Sequence, residues 1–402
     1  MTDQQAAVVS PDPARRLWLQ VAVAALGRLL INTSRRFIYP YAPVIGRGLG
    51  MPLTSVTALI ALNQVTGILS PIFGPLSDRW GYRIMMIASL GLMALGMLSS
   101  GIYAVFGVLL IGLFLAGLAK SIFDPALSAY IGEKVPYQRR GRVIGLVEMS
   151  WAGAALVGIP LVGLLIANVG WRAPFFVLGA LGVVAAVILA LIMPRERREH
   201  QRSTAMVDFR AAWGQLRRER AALGLLAFGA LVSMANDIIF VVYAAWFERS
   251  FSLGIVAIGT ATTIIGIAEL TGETLTATLS DRVGLKRAII VGTVLATLSY
   301  FLLPFSGPTL ALALAGLFFV FVSFEFSIVT SFSLATEILP TARATMLSAF
   351  VAALGLGRVA GALLGGSLWL SGGITAVGLV SAGASGLGLL VFIWGLHRWH
   401  VR

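Results

Sequence analysis

The stretch Gly74-Pro-Leu-Ser-Asp-Arg-Trp-Gly-Tyr-Arg83 returns 203 residues later as Ala277-Thr-Leu-Ser-Asp-Arg-Val-Gly-Leu-Lys286. Ser77, Asp78, Arg79, Gly81 and Arg83 of the first copy align with Ser280, Asp281, Arg282, Gly284 and Lys286 of the second. A long-period repeat of this kind marks a duplicated chain. Each copy is a short polar, basic turn between two long apolar runs, so the duplicated unit is a set of membrane spans whose polar turns share one membrane face.

Composition leads to the same place independently. Hydrophobic residues make up 58% of the 402-residue chain and charged residues 12%, against roughly 45–50% and about 25% in soluble domains. Mean hydropathy is +0.91. A soluble core cannot absorb that much apolar surface, whereas a bilayer accepts it as helices of about 20 residues with few charges. Cysteine is absent, which excludes disulfides and thiolate metal sites. The three histidines, His200, His397 and His400, lie in loop or tail, and no phosphate-binding loop or nucleophile constellation appears. The residues therefore point away from an enzyme, and no cofactor or metal is expected.

Hydropathy places twelve spans, at about 17–45, 53–76, 84–104, 107–132, 143–166, 172–193, 222–247, 255–279, 287–304, 308–334, 343–370 and 373–396. The predicted fold is an all-α membrane protein of two pseudo-symmetric six-helix bundles, 17–193 and 222–396. A tail at 1–16, a basic linker at 194–221 and a tail at 397–402 complete it. No small-residue cleavage site follows the first apolar run, so the first span is expected to stay attached. An even number of spans puts both termini on one face. That face carries 22 of the Lys and Arg residues and the opposite face only Arg47, Arg172 and Arg249, so the termini and both repeat turns are expected to be cytoplasmic and the protein to sit in the inner membrane. The net charge of +13 is thus topological and directed at lipid headgroups, not at nucleic acid. Within the linker, Phe209, Trp213 and Leu216 share one helical face, the pattern of a helix lying along the membrane surface; a solvated linker is the alternative.

Two six-span halves, a long basic central loop and a Gly-x-x-x-Asp-Arg-x-Gly-x-Arg turn between spans 2 and 3 resemble the major facilitator superfamily over almost the whole chain. A second internal echo sets Glu133-Lys-Val-Pro136 with Arg139 against Glu337-Ile-Leu-Pro340 with Arg343. The resemblance implies a transporter working by alternating access. Span 5 carries Gly145, Gly153, Gly158, Pro160 and Gly163, similar to the glycine and proline pattern of that family's exporters. The resemblance therefore favours export of a small amphipathic molecule in exchange for protons, most like the drug and sugar efflux branch. A lipid or lipid-linked sugar flippase and an organic-anion symporter remain alternatives. Expected partners are that small-molecule or lipid substrate, protons and the bilayer, with the protein a monomer.

Charges at membrane depth cost about 2.5–3.5 kcal/mol or more unless paired or wet, and so mark function. The first half supplies Arg28, Arg35, Arg36, Lys120 and Asp124, the second Asp237, Glu269, Glu273, Glu325 and Arg358, giving a basic wall opposite an acidic one. Lys120 and Asp124, four apart, can pair, and Glu325 can pair with Arg358. Glu269 and Glu273, also four apart, are like charges that resist joint ionisation, and Asp237 has no evident partner. Asp237, Glu269, Glu273 and Glu325 are therefore the coupling candidates. Arg35, Arg36, Tyr39, Asn63, Gln64, Lys120, Asp124, Trp151, Asn236 and Tyr243 are the substrate candidates, Tyr41 lies beside them on span 1, and Pro40 and Pro43 can open that helix. At the cytoplasmic face, Asp78, Arg79, Gly81, Arg83, Arg139, Asp281, Arg282, Gly284, Lys286 and Arg343 are expected to form, with Glu133, Glu148 and Glu337, an ion-pair latch that closes this face while the cavity opens to the other.

Overall fold

The computed structural model describes residues 13–69, 72–73, 76, 80–194, 209–340, 343–397 and 399. The first half runs through α1 (Pro13–Arg36), α2 (Ile38–Leu49), α3 (Leu53–Val65), α4 (Tyr82–Ile102), α5 (Phe106–Lys134), α6 (Tyr137–Gly153), α7 (Ile159–Val169) and α8 (Ala173–Ile192). The linker forms α9 (Phe209–Arg218). The second half comprises α10 (Arg220–Phe240), α11 (Tyr243–Phe251), α12 (Ile255–Ala261), α13 (Thr263–Val283), α14 (Leu285–Leu302), α15 (Leu310–Ile338) and α16 (Arg343–Leu396). No strand occurs among the described residues.

Among the described residues, ten helices are long and apolar enough to cross a membrane. The second of the twelve expected spans is the shorter apolar helix Leu53–Leu69. The eleventh and twelfth are the two arms of α16, which turns back at Gly373 with φ 59° and ψ −152°, a backbone open to glycine. Helix α8 shows how these spans meet lipid: only 28% of its apolar window is buried, and Val184, Val187 and Leu191 are exposed. In a bilayer that outer surface needs no polar cover.

Breaks in the spans facing the other half follow from local chemistry. Pro40 has no N–H for the carbonyl of Arg36, and its ring crowds that carbonyl, so the helix interrupts at Phe37 and resumes as α2. Pro160 likewise removes a donor, and the preceding turn, Ala154–Gly158, widens into a π-helix between α6 and α7. The repeat turns also match in backbone: Gly81 has φ 90° and Gly284 φ 89°, values that a side chain would strain. Arg83 donates to the carbonyl of Ala190 at the end of span 6, and Lys286 donates to that of Leu396 at the end of span 12 (2.6 Å). In α9, Leu216 is buried in the cluster that holds Ala221, Leu225, Phe392 and Leu396, which docks this part of the linker against the second half.

The halves touch where small residues let them. On α16, a Cβ at Gly366 would lie 2.9 Å from Thr57 Oγ1 and one at Gly355 3.4 Å from Ile68, so α3 and its continuation lie against the first arm of α16. Across the other seam, a Cβ at Gly266 of α13 would meet Leu156 at 2.9 Å. Near the face opposite the termini, the Tyr41 hydroxyl fits between Gly163 of α7 and Gly259 of α12 and donates to the Ile159 carbonyl (2.8 Å). There Trp246 and Phe247 are fully buried and Arg47 pairs with Glu248 at 2.7 Å, so contacts from both halves close that face.

Candidate substrate and coupling site

Between the halves lies a cavity lined from the first half by Arg35, Arg36, Tyr39, Asn63, Gln64 and Trp151. The second half contributes Asn236, Asp237, Phe240, Glu269, Phe321, Phe324, Glu325, Phe332, Leu354 and Arg358. Phe332 sits near the end of α15 and Leu354 near the start of α16, so the cavity extends from mid-membrane toward the face that carries the termini. The interruption after Arg36 positions this site, because it puts Arg35 and Arg36 at the end of α1 and Tyr39 at the start of α2, all turned to the centre.

The basic and acidic walls are joined. Arg36 grips Glu269 with both amino groups, at 3.0 and 2.7 Å, and also donates to the Trp151 carbonyl (3.0 Å). Its guanidinium lies 4.3 Å from the centre of the Trp151 ring. Arg36 is 2% exposed and Glu269 3%, so this is a charge-assisted, bidentate bond sealed from water. Of the like-charge neighbours Glu269 and Glu273, Glu269 is thus matched by an arginine from the other half, while half-buried Glu273 has no hydrogen-bond partner among the described residues and lies outside the cavity lining.

Two further expectations are revised. Asp237 does have partners, accepting from the Tyr39 hydroxyl (3.2 Å) with Arg358 Nε at 3.8 Å. Arg358 therefore leans to Asp237 and does not pair with Glu325. Glu325 is buried and has neither a hydrogen bond nor an ion pair among the described residues. The sequence places these charges at similar depths, but only the crossing of α10 with α16 decides which acid the arginine meets.

In the first half, Lys120 and Asp124 pair as expected, at 2.7 Å. Arg28 joins them, 2.9 Å from Asp124 and 2.9 Å from Glu148, and donates to the Val147 carbonyl (3.0 Å); Lys120 also donates to Asn32 (2.8 Å). This network ties spans 1, 4 and 5 together, and Lys120 and Asp124 lie outside the cavity lining. Tyr243 is likewise outside it, its hydroxyl bonded to Thr262 at 2.7 Å. Arg35 stays in the lining, donating through Nε to Asn63 (3.0 Å) and through Nη2 to Gln64 (2.8 Å), while Gln64 donates to the Tyr39 hydroxyl. Asn236 accepts from Tyr300 (3.1 Å). Buried charge in the sequence does not point to the phenylalanines of the lining: Phe240 stacks on Tyr39 at 4.2 Å and meets Phe321 edge-on at 5.3 Å. Aromatics recur in most of the spans, and nothing in their spacing singles these out.

The latch is not assembled among the described residues. Asp78 and Arg79, and the side chain of Asp281, lie outside them. Glu148 pairs with Arg28, Glu133 with its neighbour Lys134 (2.6 Å), and Arg343 donates to the Thr336 carbonyl (3.2 Å). Arg139 and Arg282 are exposed, and Glu337 is half-buried with no ion pair among the described residues. Among the described residues, Arg139, Arg282 and Arg343 do not hold Glu133, Glu148 or Glu337, and the part of the expected latch that involves Asp78, Arg79 and the Asp281 side chain lies outside them; in this conformation the opposite face is the closed one.

The profile of the Major Facilitator Superfamily matches residues 24–243 and again residues 225–400. The chain belongs to that superfamily. It is a multi-pass membrane transporter and not an enzyme, and the double match falls on the two halves of the duplication. Among similar proteins, the MFS-type transporter YceJ of Bacillus subtilis is 28% identical over 360 residues, covering 89% of this chain and 90% of YceJ. The multidrug resistance protein MdtG of Citrobacter koseri is 27% identical over 305 residues, 72% of this chain and 73% of MdtG. In fold, a nucleoside transporter, NupG, superposes with a TM-score of 0.76 at 14% identity, covering 96% of this chain and all of NupG. A bacterial homolog of the human lysosomal transporter Spinster, solved inward-facing and unoccupied, gives 0.73 at 15% identity over 96% of both chains.

Proposed function

We propose that this transporter exports small amphipathic molecules in exchange for protons from the inner membrane, with both termini in the cytoplasm. The observation that carries the reading is Glu325, a buried acid with neither a hydrogen bond nor an ion pair among the described residues, facing a cavity whose other acids are matched by arginines. An unpaired carboxylate at membrane depth is costly, so the site is stable only when a proton or a bound group satisfies it. Exchange of one for the other couples the two fluxes. Phe240, Phe321, Phe324 and Phe332 supply the apolar surface an amphipathic cargo needs. The 22-to-3 distribution of basic residues supports the orientation. Export is supported by the relatives named as multidrug resistance or efflux proteins, MdtG and the PmrA homolog of Lactococcus lactis, at 27% and 23% identity.

The test is accumulation of fluorescent amphipathic dyes by inside-out vesicles with an acidic lumen. The wild-type protein should concentrate a dye in a manner abolished by collapsing the gradient. Glu325→Gln should lose uphill uptake yet still exchange labelled for unlabelled dye, since exchange moves no net proton. Accumulation that ignores the gradient, or an uncompromised Glu325→Gln variant, overturns the proton-exchange reading.

A further inference from the structure

Six charged side chains line the central cavity, three cations and three acids. Four cancel in place: Arg36 with Glu269 at 2.7 Å and Arg358 beside Asp237 at 3.8 Å. Arg35 and Glu325 remain, one from each half. Arg35 is 8% exposed and Glu325 9%. The oxygens that hold Arg35, from Asn63 and Gln64, are neutral, so they orient its fork without cancelling its charge. Glu325 has neither a hydrogen bond nor an ion pair among the described residues, Arg36 and Arg358 being engaged by Glu269 and Asp237. Phe240, Phe321 and Phe324 line the same space.

We propose that the preferred cargo is a zwitterionic amphiphile, its acidic group on Arg35, its protonated amine on Glu325 and its aromatic or alkyl body against the phenylalanines. A singly charged molecule would satisfy one of the two buried charges and leave the other desolvated, which is the expensive arrangement. A dipolar molecule satisfies both, and with Glu325 ionised against the amine the lining and the cargo together carry no net charge. The fixed fork of Arg35 suits a planar carboxylate or a phosphonate. On release of the amine, Glu325 is left to the proton. This assignment rests on the cavity being the substrate site.

Equilibrium binding to the purified protein tests it without any gradient, so its outcome is independent of whether transport is proton-driven. The probes are three forms of one scaffold, made at several lengths: a para-linked biphenyl amino acid, its methyl ester, which keeps only the amine charge, and its N-acetyl derivative, which keeps only the acid charge. Binding is read from quenching of the tryptophan fluorescence that includes Trp151 and from thermal stabilisation. At the best length the zwitterion should bind at least about tenfold more tightly than either partner compound. Glu325→Gln should erase its advantage over the N-acetyl compound and keep its advantage over the ester. Arg35→Gln should do the reverse, and Arg35→Lys should restore part of what Arg35→Gln loses if the role is charge and not packing. Equal or tighter binding of the ester or the N-acetyl compound overturns the proposal, as does failure of the zwitterion to bind at any length, or an unchanged preference in Glu325→Gln.

Discussion

Arg36 and Glu269 carry high stakes for a single pair, because both are buried and, among the described residues, each forms its ion pair with the other alone. Truncating one member leaves its fellow desolvated, at a cost of about 3–5 kcal/mol. Glu269→Gln should therefore lower the thermal unfolding midpoint markedly, whereas Glu273→Gln, at a half-buried and unpaired position, should shift stability by less than about 1 kcal/mol. The double variant Arg36→Met with Glu269→Met should recover most of the loss, since an apolar pair of similar volume leaves no orphan charge. Thermal unfolding of the purified variants checks all three, and equal midpoints for Glu269→Gln and Glu273→Gln would remove the pair from the account of stability. Both glutamates have the same spacing context in sequence. What separates them is the arginine brought in from 233 residues away.

Among the helices, the sharpest constraint is the notch that α7 and α12 form around the Tyr41 hydroxyl of α2. A methyl group at Gly163 or Gly259 would collide with that hydroxyl, and the neighbouring Pro160 backbone limits retreat. Gly163→Ala or Gly259→Ala should push α2 outward and favour the conformation open to the face opposite the termini. With no native cysteine in the chain, an Arg47→Cys reporter labelled by an impermeant maleimide measures this directly. Labelling should quicken in either alanine variant and stay unchanged in Gly145→Ala, whose Cβ would meet nothing within 4 Å. Equal rates throughout would show that the notch does not set the gate. The glycines of span 5 are visible in sequence, but their contact with span 1 of the same half and span 8 of the other is a product of packing.

For the molecule as a whole, alternating access requires the closed face to part. The Arg47 and Glu248 ion pair bridges the halves there, but its side chains are 59% and 32% exposed, so solvent screens it and it is worth at most about 1 kcal/mol. Arg47→Gln should hardly alter stability or transport. Joining the same two positions covalently is a different intervention: Arg47→Cys with Glu248→Cys, bridged by a short bis-maleimide, should abolish transport while the unbridged double variant stays active. Continued transport by the cross-linked protein would mean that the halves do not separate on this side.

The duplicated turn, the apolar period and the bias of basic residues determine the class of fold, the number of spans and the pairing of the halves, because burial in a bilayer leaves the backbone a single solution and the side chains outside it a single preferred side. The conformations of Gly81 and Gly284 and the matched bonds of Arg83 and Lys286 repeat what the sequence repeats. Local spacing also suffices for Lys120 and Asp124, which lie one helical turn apart. The partners of Arg28, Arg36 and Arg358 were not legible, since each meets an acid on another helix and depends on crossing angle and rotation. Charge counts reveal a basic wall and an acidic wall. Only the tertiary structure decides that most of those charges cancel across the interface, and that Arg35 and Glu325 are the two left facing the cavity.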